Sequence, residues 1–300
     1  LFSKEDVVRY FRPHGLSYPL IRHYTYNVEG LDKRLHFVGA QHVADSPTKD
    51  LVKHVLDTEP VNVIIVEGLV GDEPKSPWFK EKAQQEKEKG FTSHGSECAF
   101  AVCCAHEKKI DVIGGEISDD VLHEQLLAKN YDTDDYIGFY ILREFIHKKN
   151  PVDDIKAQID SIIKTPGLFT SKFREQHAPI TCDRFYSWFT RVNNTTKQIQ
   201  DLEIKDLEPI ADDNHYFKTM ADHVSHIRNE YLLGKINELL TDVKNNNVLV
   251  VYGAAHLVCL HPALNKSAQS TLDVMPEQIQ QVVSVSCLGS SAAAAVGTNG

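Results

Sequence analysis

The chain is 300 residues long, 42% hydrophobic and 25% charged, with a formal net charge of −10. That length supports one large α/β domain or two smaller ones, with a sizeable core. The acidic balance argues against a nucleic-acid or anionic-membrane surface, which needs clustered Lys and Arg, and with no run of about 18 apolar residues no integral membrane span is expected.

Arg22 to Val28 and Arg34 to Ala40 read as two strands joined through Glu29-Gly30-Leu31-Asp32-Lys33, a hairpin with a glycine in its loop. The second strand runs into Gly39-Ala40-Gln41-His42. Ser46 is a good helix N-cap and Pro47 a good first helical residue. Leu51, Val52, Val55 and Leu56 then form a helical stripe up to Asp57. Val61 to Val66 follows as a buried strand that ends at Glu67-Gly68. Strand, helix, strand predicts a parallel pair.

Ser76 to Gly90 is rich in Lys, Glu and Gln, and reads as a solvated helix or mobile segment at the mouth of a site. Ser93 to Lys109 reads as a helix with Ala101, Val102 and Ala105 on its apolar side and Glu97 in its first turn. There Glu97 suits the helix dipole. It is also placed to reach back to a site, because this helix leads into the strand Ile110 to Ile113, which runs into Gly114-Gly115-Glu116.

Ser118 caps a helix from Asp119 to Lys129, Asp132 caps one from Thr133 to Lys149, and Asn150-Pro151 starts another carrying Ile155, Ile159, Ile162 and Ile163. Residues 166–210 read as irregular and aromatic, with Phe169, Phe173, Phe185, Tyr186, Trp188 and Phe189 as core rather than a ligand box. A long helix runs from about Asp213 to Lys244 through His226-Ile227-Arg228-Asn229-Glu230, with Leu232, Leu233, Ile236, Leu239 and Leu240 as its buried stripe. Asn245-Asn246-Asn247 breaks it, and Val248 to Tyr252 runs into Gly253-Ala254-Ala255-His256. A last strand is expected at Gln281 to Leu288, and residues 289–300 form a disordered tail.

The expected fold class is α/β (α+β): a mixed central sheet flanked by helices, with a helical insertion over the strand C-terminal ends. The domain is expected over 1–288, with 118–220 as the insertion. Of the six cysteines, three fall in one helix and no C-x-x-C is present, so free thiols in a reducing, cytoplasmic compartment are the expectation. Because the chain starts at Leu1 rather than Met, export stays open.

With 16 Gly and 15 His, chance alone yields about one Gly-x-x-His per chain, so placement carries the weight. Both copies end a β-branched, apolar run. Ligands in α/β proteins bind at the carboxyl ends of strands. Four strand candidates end in His42, Glu67, Glu116 and His256, which points to a shared site. Arg228 lies one turn before Leu232 on the buried stripe, where it needs a carboxylate or an anionic ligand, and Glu67, Glu97 and Glu116 are the candidates.

These residues together resemble the TraB/PrgY/GumN and Tiki family, within the wider group that holds ChaN-like haem-binding proteins and erythromycin esterases. The resemblance rests on the first Gly-x-x-His after a hairpin strand, the Val66-Glu67-Gly68 strand end, the Ser96-Glu97-x-Ala99-x-Ala101 helix, Arg228-Asn229 and the second Gly-x-x-His. It covers roughly residues 20–130 and 215–290. It implies a mixed sheet with the two histidines and the strand-end glutamate converging, so that His42, Glu67 and His256 match motif positions and Glu97 and Arg228 match helix positions. The chain departs at Gly114-Gly115-Glu116, where many relatives carry an Asp-Arg type pattern. Tiki-like members imply a metal-dependent protease, esterase-like members a metal-free hydrolase, and ChaN-like members haem.

Two imidazoles and a carboxylate suit a divalent ion such as Zn, Mn or Co, with His42, Glu67 and His256 as ligands. Such an ion would support hydrolysis of a peptide or small-molecule substrate. Without a metal, one histidine becomes the general base, a glutamate orients it, and Arg228 stabilises an oxyanion. Haem or signalling-peptide binding without catalysis is the third class. His106-Glu107 and His123-Glu124 lack the second histidine of H-E-x-x-H, and no G-x-S-x-G elbow, Walker loop or G-x-G-x-x-G is present. His223 and His226 read as an exposed or core-satisfied pair. Oligomeric state is not legible in the sequence.

Overall fold

The computed structural model describes residues 1–9, 22–42, 47–93, 96–148, 154–165, 168–177, 179–207 and 215–272. The strands are β1 (Arg22–Val28), β2 (Arg34–Ala40), β3 (Val63–Gly71), β4 (Asp111–Glu116), β5 (Asn247–Gly253) and β6 (Ala268–Leu272). The helices among the described residues are α1 (Thr48–Thr58), α2 (Pro77–Glu88), α3 (Glu97–Lys108), α4 (Asp119–Leu127), α5 (Thr133–Lys148), α6 (Ile155–Lys164), α7 (Ser171–His177), α8 (Cys182–Val192), α9 (Tyr216–Thr241) and α10 (Ala254–Lys266). Two compact units result. The described residues of the first lie within 1–7, 22–116 and 232–272, and those of the second within 8–9 and 117–231.

The first unit is built on one mixed sheet of order β4-β3-β5-β2-β1-β6. β4, β3, β5 and β2 are parallel neighbours, while β1 runs antiparallel to β2 and to β6. Register sets Ala40 beside Gly253, and Val66 beside both Val251 and Gly114, so four strands finish along one rim. Parallel strands covered on both faces must be apolar on both. Val63, Ile65, Val248, Val250 and Tyr252 pack on one face with Leu232, Ile236 and Leu240 of α9 and Leu257 and Leu260 of α10. Ile64, Val66, Leu249 and Val251 face Leu51, Val52 and Val55 of α1 and Ala101, Val102 and Ala105 of α3. The expected stripes on these helices are therefore the buried ones; Leu239 is only partly covered.

The second unit is helical and has its own apolar core, in which Trp188, Tyr136, Phe145, Phe173, Phe185 and Phe217 are the largest fully buried groups. Asp132 caps α5 as expected: its Oδ1 accepts the Asp135 N–H at 2.8 Å, and Asp135 returns the bond to the Asp132 N–H at 2.8 Å.

Several expectations need correction. Residues 166–210 are not irregular, since α7 and α8 lie there. Phe185, Trp188, Phe189 and Val192 fall at helical spacing and are all buried, so packing overrides the modest helix propensity of aromatic residues. β3 does not stop at Glu67-Gly68 but continues to Gly71 through a bulge. The first helix begins at Thr48 with Pro47 at the cap position, and Ser46 lies outside the described residues. α3 starts at Glu97 rather than Ser93, and α6 starts at Ile155, where Asp154 accepts the Ala157 N–H at 3.0 Å. β6 was not anticipated. The strand expected at Gln281 to Leu288 and the tail 289–300 lie outside the described residues. Cys98, Cys103, Cys104, Cys182 and Cys259 are free thiols; Cys182 and Cys259 are buried as whole residues and the other three in part. Among the described residues no helix is long and apolar enough to cross a membrane.

Candidate functional site

The site forms in the first unit, where β2, β3 and β5 end together. β2 delivers His42 two residues past Ala40. The bulge in β3, with Gly68 at φ +76°, turns Glu67 out of the regular ladder. Bulges beside active sites commonly re-aim a side chain in this way. The bulge also explains Gly114: a Cβ there would lie 2.1 Å from the Leu69 carbonyl oxygen, so only glycine lets β4 pass. β5 ends at Gly253, which caps α10, and His256 sits in the first turn of that helix.

Glu67 is the hub. Its Oε2 accepts the Gly253 N–H at 2.6 Å and lies 3.0 Å from His42 Nε2, while Oε1 lies 3.7 Å from His256 Nε2. The N-terminus of α10 places a carboxylate favourably, because its orphan N–H groups and dipole carry partial positive charge. Glu97, whose side chain is only 3% exposed, hydrogen-bonds His42 Nδ1 through Oε1. It stands in the first turn of α3, so both expectations for it hold together: it suits the helix dipole and it reaches the site.

Gly253 shows how closely these groups meet. A Cβ at this position would lie 3.1 Å from Glu67 Oε2, 3.1 Å from His42 Nε2 and 3.5 Å from His256 Cδ2. Two imidazoles and one carboxylate thus converge on a single point that a larger residue would fill. His42 is partly exposed, and burial alone would favour its neutral form; hydrogen bonding and charge from Glu67 and Glu97 outweigh burial and raise its pKa to about 10. Beside them, burial of the sulfur and the negative charge of Glu97 and Glu67 push the Cys98 thiol well above the ordinary thiol range.

Glu116 enters differently. Its Oε2 accepts the Tyr252 hydroxyl at 3.1 Å, and the fully buried Tyr252 ring meets the His256 ring edge to face, with centroids 4.8 Å apart. Glu116 therefore bears on the site through Tyr252. Tyr252 itself was counted only as part of a strand; its position four residues before His256 was the available signal. Arg228 falls in the second unit, half-buried between Ile227 and Asn229, which are fully buried. His223 and His226 lie there too; His223 bonds the Tyr131 hydroxyl at 2.8 Å, and His226 lies 3.4 Å from Glu230.

No protein-family model, curated protein or solved structure matches the chain.

Proposed function

We propose that the protein is a metal-dependent hydrolase, with peptide or amide bonds as its substrate class. The convergence of His42, Glu67 and His256 on one point beside Gly253 carries this reading. The donor set of two imidazoles and a carboxylate suits Zn, Mn or Co. Glu97 supports it further, because histidine ligands characteristically give their other ring nitrogen to a carboxylate, which fixes tautomer and orientation. Within the group that the chain resembles, the Tiki-like members are those that imply this chemistry.

In this reading His42 and His256 bind through Nε2 and Glu67 binds through its carboxylate. An ion held by these residues would supply polarisation of a scissile carbonyl and a bound water that is nucleophilic near neutral pH. Glu97 keeps Nε2 of His42 turned inward. The Gly253 N–H and the α10 terminus hold the Glu67 carboxylate in place, and Oε1, the oxygen not bonded to Gly253, would accept the proton of the attacking water.

A fluorogenic peptide library tests this. Hydrolysis should stop on chelation and return with Zn, Mn or Co. Glu67→Gln should lower turnover at least about 100-fold. Full turnover in chelator, or in Glu67→Gln, contradicts the proposal, and a Soret band with haemin in the absence of any hydrolysis moves the site to the haem-binding reading.

A further inference from the structure

The Glu116–Tyr252 pair stands outside the set of groups that meet at Gly253, yet it touches one of them. Tyr252 is the penultimate residue of β5, on the face packed by α9 and α10. Its ring is wholly buried, and it extends sideways over β4: a Cβ on Gly115 would come within 2.6 Å of Ile65 Cγ2 and 3.1 Å of Tyr252 Cε2. The glycine at 115 makes room for this ring as well as for Ile65, and the next residue, Glu116, accepts the hydrogen bond that the hydroxyl donates, at 3.1 Å. One edge of the arrangement is thus a hydrogen bond at the β4 end. The other is the edge-to-face contact with His256 at an interplanar angle of 89°. Such contacts prefer defined ring geometry.

We propose that Tyr252, tethered by Glu116, is a positioning residue that fixes the His256 ring with Nε2 towards Glu67. The Gly114-Gly115-Glu116 segment then has a purpose in both halves: Gly114 admits the β3 bulge that aims Glu67, and Gly115-Glu116 seats the tyrosine that aims His256. The two histidines are oriented by different means, His42 by a direct carboxylate and His256 by an aromatic ring held by a distant one. The functional meaning of this orientation rests on the metal-site reading above; the orientation itself does not.

The experiment uses full-length protein with 15N-labelled histidine. Long-range 1H–15N correlation reads the His256 ring, assigned by its loss in His256→Ala, and zinc alone is the binding probe. Tyr252→Phe and Glu116→Leu should shift the His256 ring signals in the same direction, and each should weaken zinc affinity about three- to tenfold. Glu116→Gln keeps an acceptor oxygen and should stay at the wild-type values. Combining Tyr252→Phe with Glu116→Leu should cost no more than either alone, as expected for groups acting in series. Unmoved His256 signals in both folded single variants overturn the proposal, as do additive losses in the double variant. Should Tyr252→Phe fail to fold, Glu116→Leu at the half-buried strand end decides. Should wild-type protein take up no zinc, the metal reading falls, and the His256 signals still decide whether Tyr252 positions the ring.

Discussion

At the scale of residues, the centre of the site is His42 held between two carboxylates. Its raised pKa, about 10 against an ordinary 6.5, has a consequence for folding in chelator-treated protein. A group protonated more tightly in the folded state contributes stability that is fully present below its unfolded pKa. That contribution declines as pH rises and is gone above the folded pKa. The urea midpoint of metal-free protein should therefore fall between about pH 7 and pH 10. Glu97→Gln removes one of the two charges, so the fall should be smaller and finish at lower pH. A midpoint that is flat over this range in wild-type protein contradicts the assignment. His42, Glu67 and His256 were legible in the sequence because each ends a buried apolar run, and Glu97 because it opens the helix leading to the next strand. Tyr252 was not legible. A tyrosine at the end of an apolar strand looks like core, and only the third dimension brings its hydroxyl to Glu116, 136 residues away in the chain.

At the scale of elements, β3 decides the site. Its continuation to Gly71 with shifted register against β4 turns Glu67 towards Gly253. Its weak point lies in the neighbouring β4, at Gly114, where an added Cβ would meet backbone atoms of Leu69 and Val70 at 2.1–2.7 Å. Backbone cannot swing aside as a side chain can. Gly114→Ala should destabilise the protein by about 1–3 kcal/mol, and because the bulge carries Glu67, zinc affinity of the folded fraction should fall with it. Melting temperature and titration of the variant check this; a wild-type melt would show that β4 tolerates the bulge without glycine. Apolar periodicity, continuous in β5 and alternating in β1 through Tyr24, Tyr26 and Val28, reveals these strands, and the sequence reading of β1, β2 and β5 lies within a residue of their ends. A bulge leaves no such trace: Glu67-Gly68 reads as a stop, because glycine at a strand end and glycine in a bulge look alike. α8 was hidden for another reason. Its aromatics read as core, which they are, but in a segment that looks irregular, although their spacing of three and four describes one helix face.

At the scale of the whole molecule, the chain sorts its apolar residues into a sheet-centred unit and a helical unit, each with its own core. The fold class follows from strands alternating with helices, and that alternation was visible in the sequence. Less visible was that the inserted segment, expected over 118–220, belongs to a unit reaching Tyr231 and takes in the first part of α9. A continuous helical stripe gives no sign of where one core ends and the next begins. The central proposal concerns the sheet-centred unit: that the rim formed by β2, β3 and β5 takes up a divalent ion, although among the described residues no group of three His, Cys, Asp or Glu side chains already stands in a metal-holding arrangement. A crystal structure of full-length protein grown with zinc, with anomalous scattering recorded at the zinc edge, tests this most directly. The account predicts one strong peak, about 2.1 Å from His42 Nε2, His256 Nε2 and a Glu67 oxygen, with Glu97 still on His42 Nδ1. A rim without a peak at saturating zinc, with His42 still clamped between Glu67 and Glu97, would contradict it.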